Sequence, residues 1–187
     1  FNRIKDISLN FDIYEEFQLI SDNFFIIPPY LTNFSNSSVT LQFLSKTAES
    51  EYLIEWFEEG SNEKKIAPLE KVQFSFSNGY LYSGQIKGLE EGKKYYYRLF
   101  YKNSASQYIS FLSLKSNFSS FSFVVIGDNR TKINEYQKVI DSILNYSPDM
   151  LINTGDLVSF GNFELEWIQF FNISNKIMKN LPYLPVL

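Results

Sequence analysis

Two apolar runs in this chain end in the same dipeptide, Gly-Asp, and a helical stretch separates them. The first run is Phe123-Val-Val-Ile-Gly-Asp-Asn-Arg130 and the second is Leu151-Ile-Asn-Thr-Gly-Asp-Leu-Val-Ser-Phe-Gly161. With Lys132 to Tyr146 reading as a helix between them, the unit is strand–helix–strand. Such a crossover is right-handed in nearly all cases and lays its two strands parallel in one sheet. Asp128 and Asp156 then emerge at the carboxyl edge of that sheet, where open α/β sheets hold their ligands. Neighbouring strands lie roughly 4.8 Å apart, so two carboxylates there can share one metal centre. The pair reads as half of a metal site.

The other half needs different donors, because the chain has no His and no Cys. The chain opens on Phe1 and stops in the apolar run Leu184-Pro-Val-Leu187, and the expectation is a fragment whose remaining ligands lie beyond Leu187. A net charge of −4 without a basic run argues against a nucleic-acid partner. No apolar stretch approaches the roughly 20 residues that span a bilayer.

From Ser21 to Ser116 short alternating runs are broken by turn residues. Candidate strands are Ile26–Leu31, Val39–Leu44, Tyr52–Phe57, Val72–Phe76, Tyr80–Ile86, Tyr95–Tyr101 and Tyr108–Leu114. Asn78-Gly79 is a hairpin signal, since both residues tolerate positive φ. In Tyr95–Tyr101, Tyr95, Tyr97, Leu99 and Tyr101 share one face. Seven short strands in such a span predict a β-sandwich, and the 18% aromatic content suits one. Leu89-Glu-Glu-Gly-Lys-Lys-Tyr95 resembles the fibronectin type III turn, although Glu91 and Lys93 replace the usual Pro and Thr. In that family a Tyr hydroxyl bonds back to the backbone and pins a corner, a role the resemblance gives to Tyr95.

After a linker at 117–120 the rhythm changes to strand Phe121–Ile126, helix Lys132–Tyr146, strand Met150–Asn153, helix Phe163–Lys179 and strand Tyr183–Leu187. Val139, Ile140, Ile143 and Leu144, then Trp167, Phe170, Phe171 and Ile177, are expected to face a core. The predicted organisation is an N-terminal extension (1–20), a sandwich (21–116), the linker (117–120) and an incomplete α/β unit (121–187). Three strands and two helices cannot cover both faces of a parallel sheet, so this second part is expected to be marginal alone.

Taken as chemistry, Asp128 and Asp156 are hard oxygen donors suited to Mg, Mn or Ca, or to a mixed site for Zn or Fe. Arg130 is a planar cation suited to a phosphoryl oxygen. Gly155 and Gly161 allow a sharp turn or a close ligand. Together they point to phosphoester chemistry through metal-activated water.

Here the chain resembles the calcineurin-like metallophosphoesterases, in which one Asp follows strand one and a Gly-Asp follows strand two. Asp128 and Asp156 match these two, and Leu184–Leu187 matches the third strand that precedes a Gly-Asn-His. A fibronectin-like domain ahead of the phosphatase domain is the order of the purple acid phosphatases, and Pro29-Tyr30-Leu31 is similar to the opening of that domain. The fold class implied is a fibronectin type III-like β-sandwich followed by the first part of an α/β metallophosphoesterase domain. The resemblance implies two divalent ions (Mn, Zn, Fe or Mg), Asp156 bridging them, Asp128 on one, and a phosphate mono- or diester as substrate. It also implies an extracytoplasmic or secreted protein and a His general acid outside the chain. Two positions depart from the pattern. Arg130 stands where many relatives have a ligand His, which leaves it for substrate phosphate. Ser159 stands where purple phosphatases have the Tyr that colours their iron, so a colourless enzyme is expected.

The alternative reading is a non-catalytic module, with aromatics on one sandwich face contacting protein or glycan beside a degenerate phosphoesterase. Haloacid-dehalogenase chemistry needs an Asp where Arg130 stands, and the P-loop pattern is absent.

Overall fold

The computed structural model describes residues 18–20, 24–48, 51–76, 78–117 and 119–186. Most of the expected N-terminal extension, and Leu187, lie outside the described residues. Among the described residues ten strands form the first part: β1 Gln18–Leu19, β2 Phe25–Thr32, β3 Ser38–Ser45, β4 Tyr52–Glu58, β5 Lys65–Pro68, β6 Glu70–Phe76, β7 Gly79–Lys87, β8 Lys94–Tyr101, β9 Ser104–Ala105 and β10 Ile109–Leu112. One sheet runs β1-β9-β8-β4-β5 with β10 also on β8, and the second runs β2-β3-β7-β6. Apart from the short parallel contact of β1 with β9, the pairings are antiparallel. The first part is thus a β-sandwich.

The seven expected strands are all present, and β1, β5 and β9 are additional. β5 is a mostly exposed edge strand reading Lys-Ile-Ala-Pro, a place where Pro and charge are tolerated and where no alternation announces a strand. On β8 the core face is the expected one, with Tyr95, Tyr97 and Leu99 buried. The Tyr95 hydroxyl accepts the Glu90 N–H at 2.8 Å, closing the corner. Asn78 takes φ 53° in the β6–β7 hairpin. Gly79 is required for space rather than for φ, because a Cβ there would lie 2.7 Å from the Leu44 side chain.

Rings fill the sandwich core. Phe43 stacks on Tyr82 at 5.3 Å, and Tyr52 meets Tyr82 edge-on at 4.5 Å. Such pairs add to the area they bury. The buried Tyr52 hydroxyl finds Ser45 at 2.9 Å.

The second part contains β11 Phe123–Ile126, α1 Ile133–Leu144, β12 Met150–Asn153, α2 Glu164–Met178 and β13 Tyr183–Pro185. Its strands form a parallel sheet in the order β11-β12-β13. Both helices pack on one face of it. Tyr136, Ile140 and Ile143 of α1 and Phe170, Ile173 and Ile177 of α2 close over Leu151 and Tyr183. The expected α1 stripe is corrected at two positions, because Val139 and Leu144 are 42% and 41% exposed. Helices cover one face only, so α1 turns a narrower stripe inward. On the opposite face Phe123, Val125, Leu184 and Val186 are each about half exposed.

That helical layer also packs against the sandwich. Ile27, Tyr30 and Leu44 from β2 and β3 belong to its core, so β2 and β3 of the second sheet are covered on both sides while β6 and β7 keep exposed residues such as Val72 and Tyr80. The Tyr30 and Phe171 rings lie 5.1 Å apart. Asn175 on α2 donates to the Pro29 carbonyl at 2.7 Å and to that of Pro28 at 3.3 Å. Register shifts in β2 at these prolines leave their carbonyls off the ladder. The Tyr97 hydroxyl donates to the Lys179 carbonyl at the end of α2, at 2.9 Å, and burial pushes its ionisation far upward.

Candidate functional site

Parallel register sets Ile126 opposite Asn153, so Gly127-Asp128 and Thr154-Gly155-Asp156 leave the sheet at one edge. The two loops are bonded to each other. Asp128 N–H donates to the Gly155 carbonyl at 3.1 Å, and Thr154 gives its N–H (2.8 Å) and its hydroxyl (3.1 Å) to the Ile126 carbonyl. This approach requires Gly127, where a Cβ would lie 2.3 Å from Thr154 Oγ1. Gly155 has φ 111° and serves the sharp turn expected of it. Gly161 lies in open space with no left-handed φ, so neither reason applies there.

Both aspartates occupy the left-handed region, Asp128 at φ 54° and Asp156 at φ 58°. Outside glycine that conformation costs on the order of 1–3 kcal/mol and persists only where the surroundings impose it. Arg130 Nη1 reaches back from the β11 loop to Asp156 Oδ1 at 3.1 Å, with both side chains roughly half exposed. The cation expected to be open to substrate is therefore held on a carboxylate of the same edge. An exposed pair of this kind stabilises by less than about 1 kcal/mol, so Arg130 can be redirected cheaply.

Beneath the edge lies a polar cluster that sequence reading passed over. Asn153, Asn129 and Ser174 are buried. Asn153 Nδ2 donates to Asn129 Oδ1 (2.8 Å) and to Tyr183 Oη (2.7 Å). Tyr183 Oη lies 3.2 Å from Tyr136 Oη, which lies 2.7 Å from Ser174 Oγ. Asn153 Oδ1 accepts the Gly155 N–H at 3.1 Å, and Asn129 Nδ2 donates to the Leu157 carbonyl at 3.3 Å. The sequence signal was an Asn inside the apolar run Leu-Ile-Asn.

The loop after Asp156 is pinned to α2, where Glu166 accepts the Ser159 N–H at 2.5 Å and Trp167 Nε1 donates to the Gly161 carbonyl at 2.9 Å. Among the described residues no three His, Cys, Asp or Glu side chains are grouped to hold a metal. No described helix is long and apolar enough to cross a membrane. A cavity of about 640 Å³ lies at the seam between sandwich and α2, lined by Pro28, Pro29, Tyr108, Asn175 and Lys179 among others, and not at the aspartates.

Residues 27–113 match the family model for the purple acid phosphatase N-terminal domain, and residues 121–187 match that for calcineurin-like phosphoesterases. Purple acid phosphatase PPD1 from yellow lupin (Lupinus luteus) seeds is similar in structure, with a TM-score of 0.68 and 18% identity, over 84% of this chain and 34% of that one. PhoD is similar with a TM-score of 0.57 and 13% identity, over 89% of this chain and 39% of that one. The chain thus spans little more than a third of either protein. No curated protein matches the chain. Its first part is thus similar to the purple acid phosphatase N-terminal domain and its second part to the calcineurin-like phosphoesterases.

Proposed function

We propose that the protein carrying this chain is a metal-dependent phosphoesterase that hydrolyses phosphate mono- or diesters. The observation that carries this reading is the placing of two left-handed aspartates on cross-bonded loops, with an arginine, at one sheet edge. Their chemistry fits divalent ions, since both are hard oxygen donors on open loops. Asp128 and Asp156 would supply two of the ligands, and the ions would be drawn from Mn, Zn, Fe or Mg. When bound, such ions supply a water of lowered pKa and neutralise the phosphoryl oxygens.

The chain's own residues do the positioning. Gly127 and Gly155 bring the loops together, and the Asp128–Gly155 backbone bond ties the two loops that carry the carboxylates. Arg130, waiting on Asp156, carries a planar pair of donors that suits a phosphoryl oxygen. With two carboxylates the chain alone is expected to show no metal-dependent turnover. The same reading divides it into a sandwich at 21–116, a linker at 117–120 and the phosphoesterase part from 121, and places the protein outside the cytoplasm.

The binding-module alternative has one observation behind it. Phe57, Tyr96 and Tyr108 cluster on the outer face of the sandwich, with Phe57–Tyr96 stacked at 5.4 Å. Lys64 and Arg98, however, already lie over Phe57 and Tyr108, and Lys94 over Tyr96, which leaves little bare π-surface for a sugar or peptide.

Titration of the chain with Mn²⁺, followed by the loss of free-ion EPR signal, tests the proposal. Uptake is expected in the wild type and should fall at least tenfold in Asp128→Asn and Asp156→Asn, the scale of loss seen when a metal site's supporting groups are removed. No uptake by the wild type, or uptake kept at the wild-type level in both variants, would sink the reading.

A further inference from the structure

The buried cluster under the aspartates has a shape that simple core packing does not require. Asn153 is fully buried, and every polar atom of its side chain is used. One N–H goes to Asn129, which sits between Asp128 and Arg130. Its carbonyl oxygen holds Gly155, the residue before Asp156, and Asn129 in turn holds Leu157, the residue after it. A single side-chain pair therefore grips the second loop on either side of Asp156 and the first loop directly after Asp128.

The other Asn153 N–H enters Tyr183. That hydroxyl can then donate onward to Tyr136, and Tyr136 to Ser174 on α2. Each member is satisfied by the next. Buried polar chains of this kind rigidify a site when complete and are costly when any member is removed. An apolar cluster would have filled the same space with less at stake. Asp enters the left-handed region more readily than most residues but still at a cost, and the Asn129–Asn153 pair at the head of this chain is what touches both loops from below.

We infer that Asn129, Asn153, Tyr183, Tyr136 and Ser174 form a positioning network that sets the backbone of Asp128 and Asp156, with Asn153 as its hub. Its purpose rests on the reading of those aspartates as metal ligands; its grip on the loops does not. Groups that orient metal ligands from behind typically cost 10–100-fold in metal affinity when removed.

Tyr183→Phe removes one hydroxyl from the middle of the network while keeping the ring. Ser174→Ala, at its far end, is the milder variant should the first fold poorly. Two measurements are made on the chain: amide hydrogen exchange resolved to the peptides holding Asp128 and Gly155, and Mn²⁺ affinity by EPR. Ile54→Val, in the sandwich core, serves as the control for a general loss of stability. The expected result is loss of protection confined to the two loops, with Mn²⁺ affinity reduced roughly 10–100-fold and wild-type affinity kept in the control. Unchanged loop protection in both variants overturns the network, as does a loss of protection spread evenly over the core with affinity intact. A wild type that takes up no Mn²⁺ overturns the metal reading instead, and the exchange result still decides whether the network holds the loops.

Discussion

At the scale of single residues, the sandwich carries one charge in an unusual place. Glu55 is 5% exposed and sits among Arg98 Nε at 2.9 Å, Tyr108 Oη at 2.5 Å and Lys64 Nζ at 3.5 Å. Removing one partner of a buried pair leaves a charge without compensation, which costs far more than the pair is worth as a unit. Arg98→Ala leaves Glu55 to Tyr108 and the more distant Lys64 alone, and is therefore expected to lower unfolding free energy by about 2 kcal/mol, short of the full cost of an unpaired buried charge. Lys64→Ala, at the exposed end of the cluster, should cost below about 1 kcal/mol. Urea titrations of both variants check the order, and equal losses would contradict it. The aspartates were legible because an apolar run ending in Gly-Asp names both an edge and a donor. Asn153 was not, because its three partners lie 24, 30 and 2 residues away and only the folded register collects them.

At the scale of elements, periodicity located every long strand and both helices, but it could not say which sides of them find a cover. Val139 and Leu144 sit at core spacing on α1 and remain exposed, since the spacing records a helix's apolar residues and not the neighbour that meets them. The same holds for the parallel sheet, whose strands alternate between a face under the helices and one bearing Phe123, Val125, Leu184 and Val186. Apolar surface of that kind favours association. Val125→Lys is expected to reduce self-association of the chain, measured by light scattering, while changing its stability by no more than about 0.5 kcal/mol, as for a surface position. A collapse of the fold on this substitution would show that the face is covered after all.

At the scale of the molecule, the layers run from sheet to sheet to helices to sheet, and α2 is shared between the two outer parts. Tyr30 lies in that shared core, where burial pushes its ionisation from 10.0 up to about 12. A raised native value means that the unfolded chain ionises first as pH climbs. The stability held by neutral Tyr30 is complete below about pH 10 and drains away as pH rises towards 12, a loss of about 2–3 kcal/mol at most. Trp56 reports on the sandwich and Trp167 on α2, so variants keeping one Trp each can follow the two parts separately. Both should lose native fluorescence at one midpoint in urea, and that midpoint should fall together between about pH 10 and 12; two separate midpoints would show that the layers unfold independently. A shared helix has a further consequence for how such proteins can be recombined. Pro28 and Pro29 offer their carbonyls to Asn175, and Tyr97 seeks the carbonyl of Lys179. A hybrid made by cutting at the polar linker and grafting on a foreign sandwich would inherit α2 without its hosts, so a workable transplant has to carry the proline pair and Tyr97 as part of the graft.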